Sequence, residues 1–137
     1  MTRLKKKISG RAGEQAAAEW LVRRGYRILT RNFSVRGGEL DIVALKRKTL
    51  CIIEVKSRAS LSYGTPAEAV TAEKRSRIIT AANEFLFRND KGGYIRTQGL
   101  FGERKRYFNR ISYDIAEVYM TPDEKVKKIN LIRSAFS

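Results

Sequence analysis

Apolar residues recur along this chain in two rhythms, one helical and one of strands. From about Gly10 to Arg24, the residues Ala16, Ala17, Trp20 and Leu21 form an i, i+1, i+4, i+5 stripe. That spacing predicts a helix with an alanine-rich face, closed by Gly25. Tyr26–Phe33 is β-branched and aromatic and reads as a strand, with a turn at Gly37-Gly38. Leu40–Leu45 and Leu50–Val55 are short, almost wholly apolar runs joined by Lys46-Arg47-Lys48-Thr49, which predicts a hairpin of two central strands. Thr65-Pro66-Ala67-Glu68 has the form of a capping box with proline at the first helical position. It predicts a helix carrying Val70, Ile78, Ile79, Ala82, Phe85 and Leu86 and ending near Asn89. Residues 90–111 are basic and glycine-rich and read as a long loop with room for a short hairpin. Ser112–Tyr119 and Lys128–Ile132 complete the order α-β-β-β-α-β-β, an α/β three-layer unit.

With 137 residues, no repeat and only two prolines, the chain is expected to form one domain, 1–137. Residues 1–8 read as a flexible basic arm. Composition then narrows the chemistry. Histidine is absent, which removes Ser-His-Asp and Cys-His triads, His-based nucleases and imidazole zinc sites. The single Cys51 excludes an internal disulfide. Hydrolysis, if any, must rest on carboxylates, lysines and a borrowed metal. No apolar run approaches a membrane span, so a cytoplasmic protein without a membrane partner is expected. The 29 Lys and Arg against 14 Asp and Glu give a net charge of +15, which favours a polyanionic partner, nucleic acid above all.

Against that basic background, two segments put acids inside apolar strands. In Glu39-Leu40-Asp41-Ile42-Val43, a period of two sets Glu39, Asp41 and Val43 on one face. In Ile52-Ile53-Glu54-Val55-Lys56, Glu54 and Lys56 share a face. If the strands pair as a hairpin, Asp41 and Glu54 lie side by side with Lys56 one step along. Buried like charges are costly unless a cation compensates them, so the pattern points to a metal. Asp41, Glu54 and Lys56 are therefore the candidate catalytic residues. Asp41 and Glu54 would be hard oxygen ligands for Mg²⁺ or Mn²⁺, and Lys56 would orient water or offset transition-state charge. The plainer alternative is a surface Glu54–Lys56 pair and a strand-end Asp41.

An aspartate followed about twelve residues later by E-x-K, behind a Glu-bearing helix, resembles the PD-(D/E)xK nuclease superfamily and its Holliday-junction-resolvase-like branch. Gly13-Glu14, Ala16–Leu21, Gly25-Tyr26, Gly37–Asp41, Glu54–Lys56 and Tyr63–Val70 together resemble the bacterial YraN-like family, whose members are mostly described as uncharacterised or predicted endonucleases. The resemblance covers about residues 9–88 and resumes near Tyr113-Asp114-Ile115. It implies a restriction-endonuclease-like core, a mixed central sheet flanked by helices. It also implies a Mg²⁺- or Mn²⁺-dependent endonuclease acting on DNA, branched or structured, with DNA ahead of RNA, and a homodimer as a common state. A non-catalytic DNA- or RNA-binding module on the same fold is the alternative. Glu14 joins Asp41 and Glu54 as a metal ligand in this picture, and Glu14, Ala17 and Leu21 do share one helix side; the alternative for Glu14 is dipole compensation. Glu39 is a further ligand, a supporting acid or a turn-capping acid.

The nucleic-acid-binding candidates are Lys74, Arg96, Arg104, Lys105 and Arg106. Lys74, about two turns into the expected helix, either reaches a phosphate or stands on a solvated face. In the 90–111 segment, Tyr94, Phe101, Tyr107 and Phe108 alternate with cations. Its rings either stack on unpaired bases or tuck into a satellite cluster. This stretch and the basic arm are where the chain departs from the family pattern.

Overall fold

Strands as apolar as Leu40–Leu45 and Leu50–Val55 need cover on both faces, because no alternate position along them is suited to water. The computed structural model, which describes residues 3–58 and 70–136, supplies that cover with one helix on each face. In chain order the elements are α1 (Arg3–Arg23), β1 (Arg27–Val35), β2 (Gly38–Lys46), β3 (Thr49–Arg58), α2 (Ala72–Asn89), β4 (Tyr94–Gly99), β5 (Gly102–Tyr107), β6 (Arg110–Met120) and β7 (Val126–Phe136). The main sheet runs β1-β2-β3-β6-β7, with β3 and β6 parallel and every other pair antiparallel. This is the mixed three-layer α/β architecture that the order of elements implies.

Alternation divides the core. Toward α2 point Leu45, Leu50 and Ile52, packed on Ile78, Ala82 and Phe85. Toward α1 point Ile42, Ala44, Cys51 and Ile53, packed on Ala17 and Leu21. Each fully buried aliphatic side chain among them contributes roughly 1.5–3 kcal/mol by leaving water. Among the described residues, no helix is long and apolar enough to cross a membrane.

Two local features differ from the sequence expectation, and a third takes up the hairpin it left room for. The stretch expected as a basic arm is helical from Arg3 onward, continuous with the rest of α1. The second helix opens at Ala72, with Thr71 as its N-cap in an extended conformation and its hydroxyl accepting from the Lys74 amide at 3.2 Å. The Thr65–Glu68 box lies outside the described residues, and Val70 is buried ahead of the helix rather than within it. Finally, 90–111 holds a regular hairpin, β4–β5, paired from Tyr94↔Tyr107 to Gly99↔Gly102 as a separate two-stranded sheet. Tyr94 and Tyr107 face each other there at 5.4 Å, Phe108 packs on the core, and Phe101 is wholly exposed at the tip. The expected tucking of rings into a cluster thus holds for Phe108, while Phe101 stays in solvent.

The seat of α2 on the sheet is set by Gly38. A Cβ at that position would stand 2.2 Å from the Arg77 carbonyl oxygen and 3.1 Å from the Ala81 amide, so only glycine lets helix and strand approach this closely. Gly38→Ala is expected to cost about 1–3 kcal/mol, as overpacked sites do. A thermal melt equal to wild type would show that the contact yields without strain.

Candidate functional site

The sheet forks at Asp41. β1 stays paired with β2 out to Gly38, and β6 stays paired with β3 out to Arg58, yet β2 and β3 pair only as far as Ile42↔Ile53. Continuing that register would bring Asp41 opposite Glu54. Instead the Asp41 carboxylate fills the gap, and its Oδ2 accepts the Val55 amide hydrogen at 2.8 Å. A side chain thus replaces the missing backbone acceptor of the ladder. The alternation of faces breaks here too, with Leu40 in the α2-side core and Ile42 in the α1-side core.

The fork gathers acids from both layers. Glu54, on β3, is buried and its Oε1 lies 2.7 Å from Lys74 Nζ. Glu14 arrives from α1, against the Asp41 carboxyl and Asn32, with Arg31 nearby. α1 can come this close because Gly13 faces Ser57 of β3, whose hydroxyl stands where a Cβ would lie. Asn32 takes a left-handed conformation, φ 53°, inside β1, a strain of the kind concentrated at working sites and one asparagine tolerates.

Charge in the fork is strongly perturbed. Burial, then the Glu54 carboxylate beside it, pushes the Asp41 carboxyl up to about 8, with the Val55 hydrogen bond opposing and Glu14 adding. Burial likewise raises Glu14, with Arg31 and Asn32 acting against it. Lys56 is lowered by burial and by the neighbouring Lys74. For Lys74 burial acts downward, but its bonds with Glu54 and Lys56 outweigh it and the net shift is upward.

The structure therefore brings together Glu14, Asp41, Glu54, Lys56 and Lys74. Glu39 is not among the groups that act on Asp41; it is exposed beside Glu73, Lys74 and Arg77 on the α2 side, so the face shared by Glu39 and Asp41 in the period-of-two reading is not formed. The break in alternation at Asp41 is the physical reason. Lys74 is in the first turn of α2, not two turns in, and points at Glu54 rather than at solvent. A lysine at N3 opposes the helix dipole, a signal that it has an acid to serve. Sequence reasoning missed Asn32, Arg31 and the buried Arg58–Glu117 pair at 2.9 Å on the neighbouring strands. Arg96, Arg104, Lys105 and Arg106 stand apart from the fork on the hairpin; Arg96 pairs with Glu103 at 3.4 Å and Arg106 donates to Thr97 at 3.3 Å.

Among the described residues, no three acid or cysteine side chains are placed together to hold a metal ion. The donor set still suits a hard cation. Val55 engages one Asp41 oxygen and Lys74 one Glu54 oxygen, and the Asp41 carboxyl also bonds with Glu54 and Glu14, so an ion would take the place of those carboxyl–carboxyl contacts. Mg²⁺ is commonly held by one or two carboxylates, with water and substrate phosphate completing its shell.

The model of the uncharacterised protein family UPF0102 matches residues 13–120, a span that contains every residue of the fork. The chain belongs to UPF0102. A UPF0102 protein of Caldanaerobacter subterraneus subsp. tengcongensis is 34% identical over 99% of this chain and all of its own length. One from Caldicellulosiruptor saccharolyticus is 37% identical over 97% of this chain and the whole of that relative. A third, from Chlorobium phaeobacteroides (strain BS1), is 56% identical over 56% of this chain; the match spans 61% of that relative's length. UPF0102 membership agrees with the YraN-like resemblance of the sequence motifs.

The raised Asp41 carboxyl makes a linkage test possible. Its ordinary value is 3.8 and its folded value about 8, so between these the native UPF0102 chain holds a proton that the unfolded chain has released. Stability of the metal-free protein should therefore fall as pH rises across that window. Asp41→Asn keeps an acceptor for Val55 and should flatten this fall, melting as high as wild type or higher at pH 9. Equal slopes for the two proteins between pH 5 and 9 would remove the carboxyl cluster as their cause.

Proposed function

We propose that this UPF0102 protein is a Mg²⁺- or Mn²⁺-dependent endonuclease that hydrolyses phosphodiester bonds in DNA. The observation that carries this reading is the convergence of Asp41, Glu54 and Glu14 in the fork, with Lys56 and Lys74 beside them. The PD-(D/E)xK resemblance supports it, and the net charge of +15 suits a polyanionic substrate.

Asp41 and Glu54 would hold the ion, and Glu14 would contribute through its contact with Asp41. When bound, the ion polarises the phosphate and lowers the pKa of the attacking water. The chain's own groups do the rest. Lys56 Nζ, beside Lys74 and the acids, orients that water, whose proton passes to solvent, and offsets the negative charge that develops at phosphorus. Water then adds at phosphorus, a P–O ester bond breaks, and the leaving alkoxide takes a proton from solvent. Lys74 holds Glu54 in place through its 2.7 Å ion pair and keeps positive charge beside the strained phosphate.

One observation favours a second reading. Lys74 already neutralises Glu54, and the acids do not close a cage, which also suits a DNA- or RNA-binding module without catalysis. Labelled duplex, flap, four-way junction and single-stranded substrates, each with Mg²⁺, Mn²⁺ or EDTA, separate the two. Cleavage is expected only with the metals. Asp41→Asn, Glu54→Gln and Lys56→Ala should each reduce it by about a hundredfold or more, the scale of losing one transition-state contact. Cleavage that survives EDTA, or an undiminished Asp41→Asn, would overturn the mechanism.

A further inference from the structure

At the opposite end of the same strands the surface changes character. Arg27 at the start of β1, Arg47 and Lys48 in the β2–β3 turn, and Lys105, Arg106 and Tyr107 of β5 line a cleft of about 800 Å³. That volume is within the range of pockets that hold organic ligands. Ile28 and Leu45 also line it, giving it an apolar side. The hydrogen bond from the Asn109 amide to the Lys48 carbonyl, 2.9 Å, ties the chain just after β5 to the turn, so the two walls are linked.

Among the described residues no acid lines this cleft, and none of its five cations forms an ion pair. Unneutralised cations repel one another, and a concave surface that keeps them together is suited to an anionic ligand. Burial and the neighbouring Arg27 and Arg104 lower the Arg106 guanidinium, in keeping with that crowding. Tyr107 adds a second kind of group, an aromatic side chain that meets Tyr94 at 5.4 Å and is still 59% exposed at the cleft wall. Cations that track phosphates together with an open ring that accepts a base are the means by which proteins hold unpaired strands. A duplex keeps its base faces in the stack and offers that ring nothing.

We propose that this cleft is a binding site for a single-stranded nucleic-acid segment, with phosphates on Arg27, Arg47, Lys48, Lys105 and Arg106 and a base on Tyr107. It is separate from the fork. Six residues along β2 part Asp41 from Arg47, about 20 Å at the rise of a strand. The proposal needs no cleavage and shares with the endonuclease reading only the class of ligand.

The test is fluorescence anisotropy in EDTA, with labelled single-stranded DNA, single-stranded RNA of the same sequence, duplex DNA, and heparin as competitor. Arg47→Glu with Lys48→Glu should weaken single-strand binding at least tenfold, and the slope of log K against log salt should become shallower by about 0.7 per lost phosphate contact. Tyr107→Ala should cost roughly tenfold on single strands and leave duplex binding unchanged. A 5-iododeoxyuridine oligonucleotide, irradiated on the wild-type protein, should cross-link to the peptide bearing Tyr107. Arg47 and Lys48 are exposed, so circular dichroism of the double variant is expected to match wild type, and Tyr107→Phe, which keeps the ring facing Tyr94, is expected to retain near-wild-type single-strand binding. Wild-type affinity in the double variant would overturn the site, as would equal losses on duplex and single strand with Tyr107→Ala, or cross-links confined to other peptides. Those results leave the fork untouched. Conversely, metal-independent behaviour of Asp41→Asn and Glu54→Gln would remove the nuclease reading without affecting the cleft. A wild type that binds none of the nucleic acids would overturn both.

Discussion

One hydrogen bond organises the working end of this molecule: the Val55 amide given to the Asp41 carboxylate. Two central strands that stop pairing inside a sheet leave backbone donors without partners, a cost of roughly 1–3 kcal/mol for each one buried. Asp41 removes that cost for Val55 and in doing so keeps the fork open. Had β2 and β3 zipped on in register, Asp41 and Glu54 would sit opposite each other on a continuous ladder. With the ladder broken, the Asp41 side chain can meet Glu14 from the α1 layer and Glu54 from the β3 side. The irregularity that weakens the sheet is what lets carboxyls from two layers meet.

The helices are placed to serve that fork. α1 approaches β3 through Gly13, with Ser57 filling the space of the missing side chain, and its next residue is Glu14. α2 approaches β2 through Gly38 and begins at a threonine cap whose third helical residue is Lys74. Capping the helix at Thr71 thus fixes where the ammonium enters the site. A cation in the first turn is unfavourable to the helix dipole by some tenths of a kcal/mol, and the buried Glu54 more than offsets it through a charge-assisted bond.

Much of this was legible in the residues because hydrophobic rhythm reports burial directly. The apolar runs at 40–45 and 50–55 located the central strands, and their embedded acids located the fork. What was not legible follows from the limits of local signals. Periodicity assumes a continuous strand, so it grouped Glu39 with Asp41; the break at Asp41 depends on a partner strand fourteen residues away. The Thr65-Pro66 box is the stronger cap signal in the residues alone, and the position of Thr71 as a cap is visible only in the backbone. The 90–111 segment lacks the alternating apolar pattern of a buried strand because β5 lies almost entirely on the surface. Its pairing is held by the Gly99–Gly102 turn and facing tyrosines rather than by core burial.

The charge of the chain makes physical sense once it is divided along the sheet. A net +15 would be a uniform handicap to folding if spread evenly, through self-repulsion. Instead the acids that are buried, Glu54, Asp114 and Glu117, lie in or beside the main sheet, each at short range from a donor: Lys74, Ser112 and the Ser134 amide, and Arg58. The cations without acids are left on the outer surfaces, on the β2–β3 turn and on β5, where water screens them over about 8 Å at physiological salt. Such an arrangement presents a positive field to approaching polyanions. It also keeps Glu14, Asp41 and Glu54 together inside the fork, where short-range contact and not long-range attraction decides what enters. On the endonuclease reading proposed above, an anionic substrate would reach those acids only with something cationic between, and in the fork Lys56 and Lys74 are the side chains placed for that role.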